Sequence, residues 1–272
     1  MFKRAAGFAT IVLVLCFAAC SGTQPLSTAT PRPSDIEAAC EQVVLNFTDG
    51  EPVEFAHVSF EDYVYQDDRY EYVVDSQYLY IKKISTISYE EHKALHTEGT
   101  KAGTKEAAEN LGVEIYKKVM SGLLLDEGGI KIKCLSPEET LFFVEINETI
   151  NGIPTGTFAS IDMSASGNIL NAIFVLGDAE NTDRLINEQD KMISVEDAKK
   201  IALEKIDSMA AELEAENIQI DESEPCEIVT LGDTTVWAVP FTYTKQGVSY
   251  ICGGIVNVEV FSGEVIDVRM YA

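Results

Sequence analysis

Histidine, tryptophan and basic residues are all scarce in this sequence. Its 272 residues include 3 histidines and 1 tryptophan, and 20 lysines and arginines stand against 45 aspartates and glutamates, a net charge of −25. An acidic surface of this kind repels nucleic acid and anionic lipid headgroups, so neither is expected as a charge-driven partner. No CxxC pair occurs, which leaves out a zinc ribbon and a thioredoxin-like site. A GxSxG elbow, a P-loop, a dinucleotide GxGxxG and an EF-hand loop are missing as well. The carboxylates between residues 207 and 227 are irregularly spaced and read as a solvated helix end and loop rather than a calcium cage.

One histidine pair remains to be weighed. His92 and His96 stand four residues apart, which on a helix gives them one face and a metal-binding geometry. A zincin needs glutamate directly after the first histidine, where Lys93 stands; the inverted form needs one directly before the second, where Leu95 stands. A solvated polar face is therefore the expected role. A metal-dependent hydrolase using His92 and His96 is the disfavoured rival. No catalytic residue, no cofactor and no metal are expected.

What is present begins with an export signal. Lys3 and Arg4 precede an apolar run from Phe8 to Phe17 that is short for a membrane span. Phe17-Ala18-Ala19-Cys20 resembles the lipobox of bacterial lipoproteins, although leucine is usual where Phe17 stands. The resemblance implies a signal peptide at 1–19, cleavage before Cys20 and acylation of Cys20. Ordinary signal-peptidase cleavage is the alternative. Residues 20–35 are rich in serine, threonine and proline and read as a flexible tether. Random-coil scaling gives it a reach on the order of 20 Å. The protein is thus expected at a bacterial cell membrane, lipid-anchored and facing outside the cytoplasm, and the acidity then suits solubility there.

Four cysteines lie beyond the anchor: Cys40, Cys134, Cys226 and Cys252. Disulfides and buried free thiols both remain open. A Cys226–Cys252 bridge is disfavoured, because a strand is expected between them and would hold them roughly 10 Å apart.

The organising feature is a repeat. Residues 141–172 and 236–268 carry the same pattern of alternating apolar residues and turn glycines. Eleven residues separate Leu141 from Gly152 and Val236 from Gly247, and a second glycine follows at Gly167 or Gly263. Each copy reads as strand, turn, strand, tight turn, strand. Each is preceded by a helical stripe: Ala108, Leu111, Ile115 and Val119 after Thr104, weakened by Gly112; and Ala198, Ile201, Ala202, Ile206, Met209 and Leu213 after Ser194. Ser194 with Asp197 three residues on approaches a capping box. Trp237, Val239 and Phe241 alternate onto one face, which is expected to meet Ile201, Ile206 and Met209.

Residues 36–100 are less regular. Residues 36–47 fit a short helix, and 57–66 and 69–85 read as strands with Tyr70, Tyr72 and Val74 alternating. The tyrosines at 63, 65, 70, 72, 78 and 80 suit sheet packing, with a partner surface as the sharper reading.

The second copy, ISVEDAKKIALEKI, then VWAVPFTY, then GGIVNVEVFSGEVIDV, resembles the PepSY domain. The first, with NGIPTGTFASIDMSASGNI, is similar to hairpins in propeptides of thermolysin-like proteases and in YcdB/YcdC-type repeats. The expected fold is α+β: tandem PepSY-like units, each a helix packed on an antiparallel meander. The expected domains are 36–183, with room for a degenerate extra unit at 36–100, and 184–272. The resemblance implies a non-catalytic module that binds or regulates an envelope protein or protease; no protease domain follows in this sequence, so inhibition is expected in trans. A structural spacer at the cell surface is the remaining alternative.

Overall fold

Three helix-then-strand series follow one another along the chain. The computed structural model describes residues 33–97, 103–125, 128–138, 141–245 and 247–271. The first series is α1 (Pro33–Phe47), β1 (Glu54–Ser59), β2 (Asp62–Gln66), β3 (Tyr70–Asp75) and β4 (Tyr80–Thr86). A short helix, α2 (Tyr89–Thr97), leads to α3 (Lys105–Val119), β5 (Gly129–Glu138), β6 (Leu141–Ile150), β7 (Ile153–Ser164) and β8 (Ile169–Val175). The third comprises α4 (Ala179–Asn187), α5 (Val195–Leu213), β9 (Ala215–Ile220), β10 (Glu227–Leu231), β11 (Thr234–Lys245), β12 (Cys252–Glu259) and β13 (Val265–Tyr271). Among the described residues the fold is thus α+β, with two antiparallel sheets.

The first two series share one sheet. Its order is β1-β2-β3-β4-β8-β7-β6-β5, so the last strands of the two series meet at the centre. Lys83, Ile84 and Ser85 of β4 face Ile173, Ala172 and Asn171 of β8. Residues 36–86, the least regular part of the sequence, therefore form a helix and a four-stranded meander. The segment 57–66 is not one strand but a hairpin, because Phe60 turns through φ 58°. α1 begins at Pro33, so the end of the expected tether is helical; proline is favoured in a first helical turn, where its missing N–H has no partner to lose.

One core runs under this sheet. Cys40 and Val44 of α1, Tyr65, Tyr72 and Ile84 of the first meander, Tyr116 of α3, and Val144, Ile161 and Phe174 of the second belong to a single buried cluster. Gly112 has a packing reason: a Cβ there would sit 2.9 Å from Cγ1 of Val144, so glycine lets α3 approach β6. Thr104 caps α3, its Oγ1 accepting from the Ala107 N–H at 3.1 Å. The β6–β7 hairpin turns on Asn151 and Gly152 at φ 52° and 84°, the double positive φ that a type I′ turn requires. α2 lies against β4, β7 and β8, across the central joint.

The third series has its own sheet, order β10-β11-β12-β13, with β9 pairing the far half of β11. Its core is a separate cluster: Ala198, Ala202 and Ile206 of α5 against Val239, Phe241, Tyr243, Val256 and Val258. Two alanines bring the helix close to the sheet. Met209, expected in the same stripe, is half-exposed and outside this core, because the buried line of α5 runs through Ala198, Ala202 and Ile206. Trp237 is half-buried rather than buried; it packs on the edge of the core and donates its Nε1–H to the Ile193 carbonyl at 3.1 Å. Ser194 caps α5, accepting from the Asp197 N–H at 3.1 Å and donating to its carboxylate at 2.6 Å.

Candidate functional site: a polar cleft at the junction of the sheets

The two sheets meet through α4 and the β6–β7 hairpin. Asp178 caps α4 by accepting from the Asn181 N–H at 2.7 Å, and that cap fixes where the helix starts. Asn181 then turns inward, 6% exposed, and donates to Thr235 Oγ1 at 2.9 Å. Thr230 of β10 donates to the Pro154 carbonyl at 3.4 Å, and Asn151 to Gln189 at 2.7 Å. Gly156 permits this approach, since a Cβ there would lie 3.1 Å from Thr230. The expected domain boundary after residue 183 falls inside α4.

A cleft of about 360 Å³ opens beside α4. Glu259 stands in its wall, 6% exposed, with one carboxylate oxygen accepting from the Phe261 N–H at 2.9 Å and from the Ser262 N–H. Its other oxygen faces Arg184 Nη1 at 3.4 Å. The Arg184 guanidinium lies 4.1 Å from the centre of the Phe261 ring, which fixes the cation between ring and carboxylate. Around this paired centre stand the carboxylates of Asp178, Glu180, Asp233 and Glu264. With Arg184 already engaged, the cleft presents negative charge to whatever enters it. A cationic group is the ligand chemistry that suits it.

Sequence reasoning missed these residues. The segment 178–190 reads as a polar boundary that is helical in part, and Asp178 with Glu180 in the first turn is a helix-start signal. Glu259 was legible as an anomaly, a lone charge in the otherwise uncharged run from Ile255 to Phe261.

The residues singled out beforehand lie elsewhere. Cys20 and its signal, 1–19, are outside the described residues, as is most of the tether. His92 is half-buried on α2; the side chain of His96 is outside the described residues. His92 comes near Asp162 of β7, whose carboxyl is raised above its ordinary range chiefly by burial, against a lowering by an Asn171 hydrogen bond and by His92 itself. Among the described residues no group of three or more His, Cys, Asp or Glu is placed to hold a metal. Among the described residues the four cysteines beyond the expected anchor are free thiols, with Cys40 and Cys134 buried. Burial, helped by Asp75 and Asp62, pushes the Cys40 thiol up to about 12. Tyr65, Tyr72 and Tyr80 are core residues, while Tyr78 is exposed. Tyr65 donates to the Glu37 carbonyl at 2.7 Å and Tyr72 to Asp67 at 2.6 Å, so these two hydroxyls serve the fold.

No protein-family model matches the sequence, and no curated protein matches it. Among solved structures, the chain is similar to the Bacillus megaterium YpeB C-terminal domain: 12% identity over 87% of this chain and 97% of that one, with a TM-score of 0.43.

Proposed function

We propose that this protein is a non-catalytic binding or regulatory module built of PepSY-like units, held outside the cytoplasm by a lipid on Cys20. Its partner is an envelope protein or protease. The observation that carries the reading is the cleft beside α4, a concavity in which Arg184 is neutralised by Glu259 and whose rim is acidic. A binding module needs such a recessed, oriented set of polar groups, whereas a spacer has no use for one. The rim selects for a basic segment of the partner, in keeping with the charge of the whole chain.

A photocrosslinker placed at position 233 or 264 in the full-length protein, expressed in its own cells, tests the reading. One discrete crosslinked species is expected, and it should fade when Glu180→Lys reverses a neighbouring rim charge. Labelling that is diffuse, or indifferent to the reversal, would reduce the protein to a spacer. Anchoring is tested separately: Cys20→Ser should move the protein from the membrane fraction to the soluble one, and unchanged fractionation and mass would reject the lipid.

A further inference from the structure

The shared sheet contains a joint that the third series has no partner for. β4 and β8 are each the last strand of a helix-and-meander series, and they pair antiparallel with each other. The corresponding last strand of the third series is β13. It pairs with β12 on one side, and among the described residues no strand lies on its other side.

β13 is less guarded than the other open edges. Such strands are blunted by charges, lysine above all, and by proline, shortness or a bulge. The edge strand β5 carries Lys131, Lys133 and Pro137, and β1 is broken by a bulge between Phe55 and His57. β13 reads VIDVRMY, with neither lysine nor proline; it bulges at Ile266, and beyond that its register against β12 is unbroken from Asp267 to Tyr271. It leaves Ile266, Met270 and Tyr271 43%, 38% and 53% exposed.

We propose that β13 pairs antiparallel with β13 of a second copy, forming a two-fold dimer that joins the two five-stranded sheets edge to edge. The sequence of the strand is complementary to itself in one register only. Centred on Val268, the pairing sets Val268 opposite its own copy and Asp267 opposite Arg269 twice, all within the stretch beyond the bulge. Within one chain Arg269 Nε lies 2.8 Å from Asp267 Oδ2, on the exposed side, so both charges already sit together at the edge. A shift of the two-fold axis by one residue puts Asp267 opposite Asp267, or Arg269 opposite Arg269. Like charges directly opposed are destabilising, and register is set by such pairs. The axis at Val268 is an isologous contact, in which each residue meets its complement symmetrically. The internal β4–β8 joint is the same arrangement made within one chain.

The test uses the full-length chain released from its anchor by Cys20→Ser. Sedimentation is expected to give twice the chain mass at high concentration. Arg269→Asp and Asp267→Arg each create two like-charge pairs across the axis and should weaken the dimer at least about tenfold. The double variant D267R/R269D restores opposite pairs and should restore the dimer. Emission of Trp237 reports whether each variant is folded. V268C gives a readout independent of charge, since oxidation should link two copies through peptides containing position 268. A native chain that is monomeric throughout overturns the proposal. So does a folded double variant that stays monomeric, or single variants that dimerise as tightly as the native chain.

Discussion

Between residues 33 and 177 the molecule joins two helix-and-strand series by continuing a sheet, whereas it joins the third through a helix and a few polar contacts. The first joint places both series over one apolar cluster. The second leaves the third series with a cluster of its own and spans the gap with Thr230 to Pro154 and Asn151 to Gln189. Apolar burial is the larger and less directional term, so a shared core ties two units into one cooperative body. Polar contacts between surfaces fix orientation while adding little. The N-terminal pair should therefore unfold as one, and the third series on its own.

The largest test of that contrast is Phe174→Ala. Phe174 is 1% exposed in β8, the strand at the first joint, and its truncation should cost about 3–5 kcal/mol. Cys40 of the first series and Cys134 of the second should then become reactive to thiol reagents at the same urea concentration. The emission midpoint of Trp237, which sits in the other body, should not move. Protection of Cys40 after Cys134 has reacted would show that the shared sheet does not couple the two series.

Ile206→Ala is the mirror experiment. Ile206 is fully buried in α5, and the loss should be about 2–4 kcal/mol. Here the tryptophan midpoint should fall and the protection of Cys40 and Cys134 should remain. Gly112→Ala should cost about 1–2 kcal/mol, because the clash with Val144 outweighs the gain in helix propensity. Calorimetry should assign that loss to the N-terminal transition alone. Arg184→Ala removes the guanidinium from Glu259 and Phe261 and should cost about 1 kcal/mol. Its sharper signature is a lower tryptophan midpoint with the protection of Cys40 and Cys134 unchanged, since both of its partners lie in the third series. Lys133→Ala deletes an exposed 4.0 Å pair with Glu145 and should change stability by at most about 0.5 kcal/mol in urea titration.

Much of the third series is legible in the sequence because local signals agree there. Ser194 and Asp197 cap α5, the glycines mark the turns, and Val239 and Phe241 alternate inward as period-two reasoning expects. Residues 36–86 were harder, since their hairpin turns on Phe60, a residue with no turn chemistry, and their tyrosines serve core and surface alike. Trp237 lies at the rim of its core because it opens the contact with α5 instead of standing in its middle, a position that alternation alone does not distinguish. The pairing of β4 with β8 has no local signal at all: it depends on two segments far apart in the chain finding each other. The cleft escaped for a related reason. Asp178, Arg184, Asp233 and Glu259 converge only when α4 is docked.

That long-range pairing has a consequence in time. Ile84 of β4 meets Ala172 of β8, so the first meander cannot complete its inner edge when its own residues have been made. At about 5–20 residues per second of synthesis, the wait for β8 is on the order of ten seconds. During that interval β4 is an open strand, ready to recruit any chain that offers a matching edge. Early encounters between nascent copies are therefore most hazardous at residues 80–86, long before the C-terminal sheet exists.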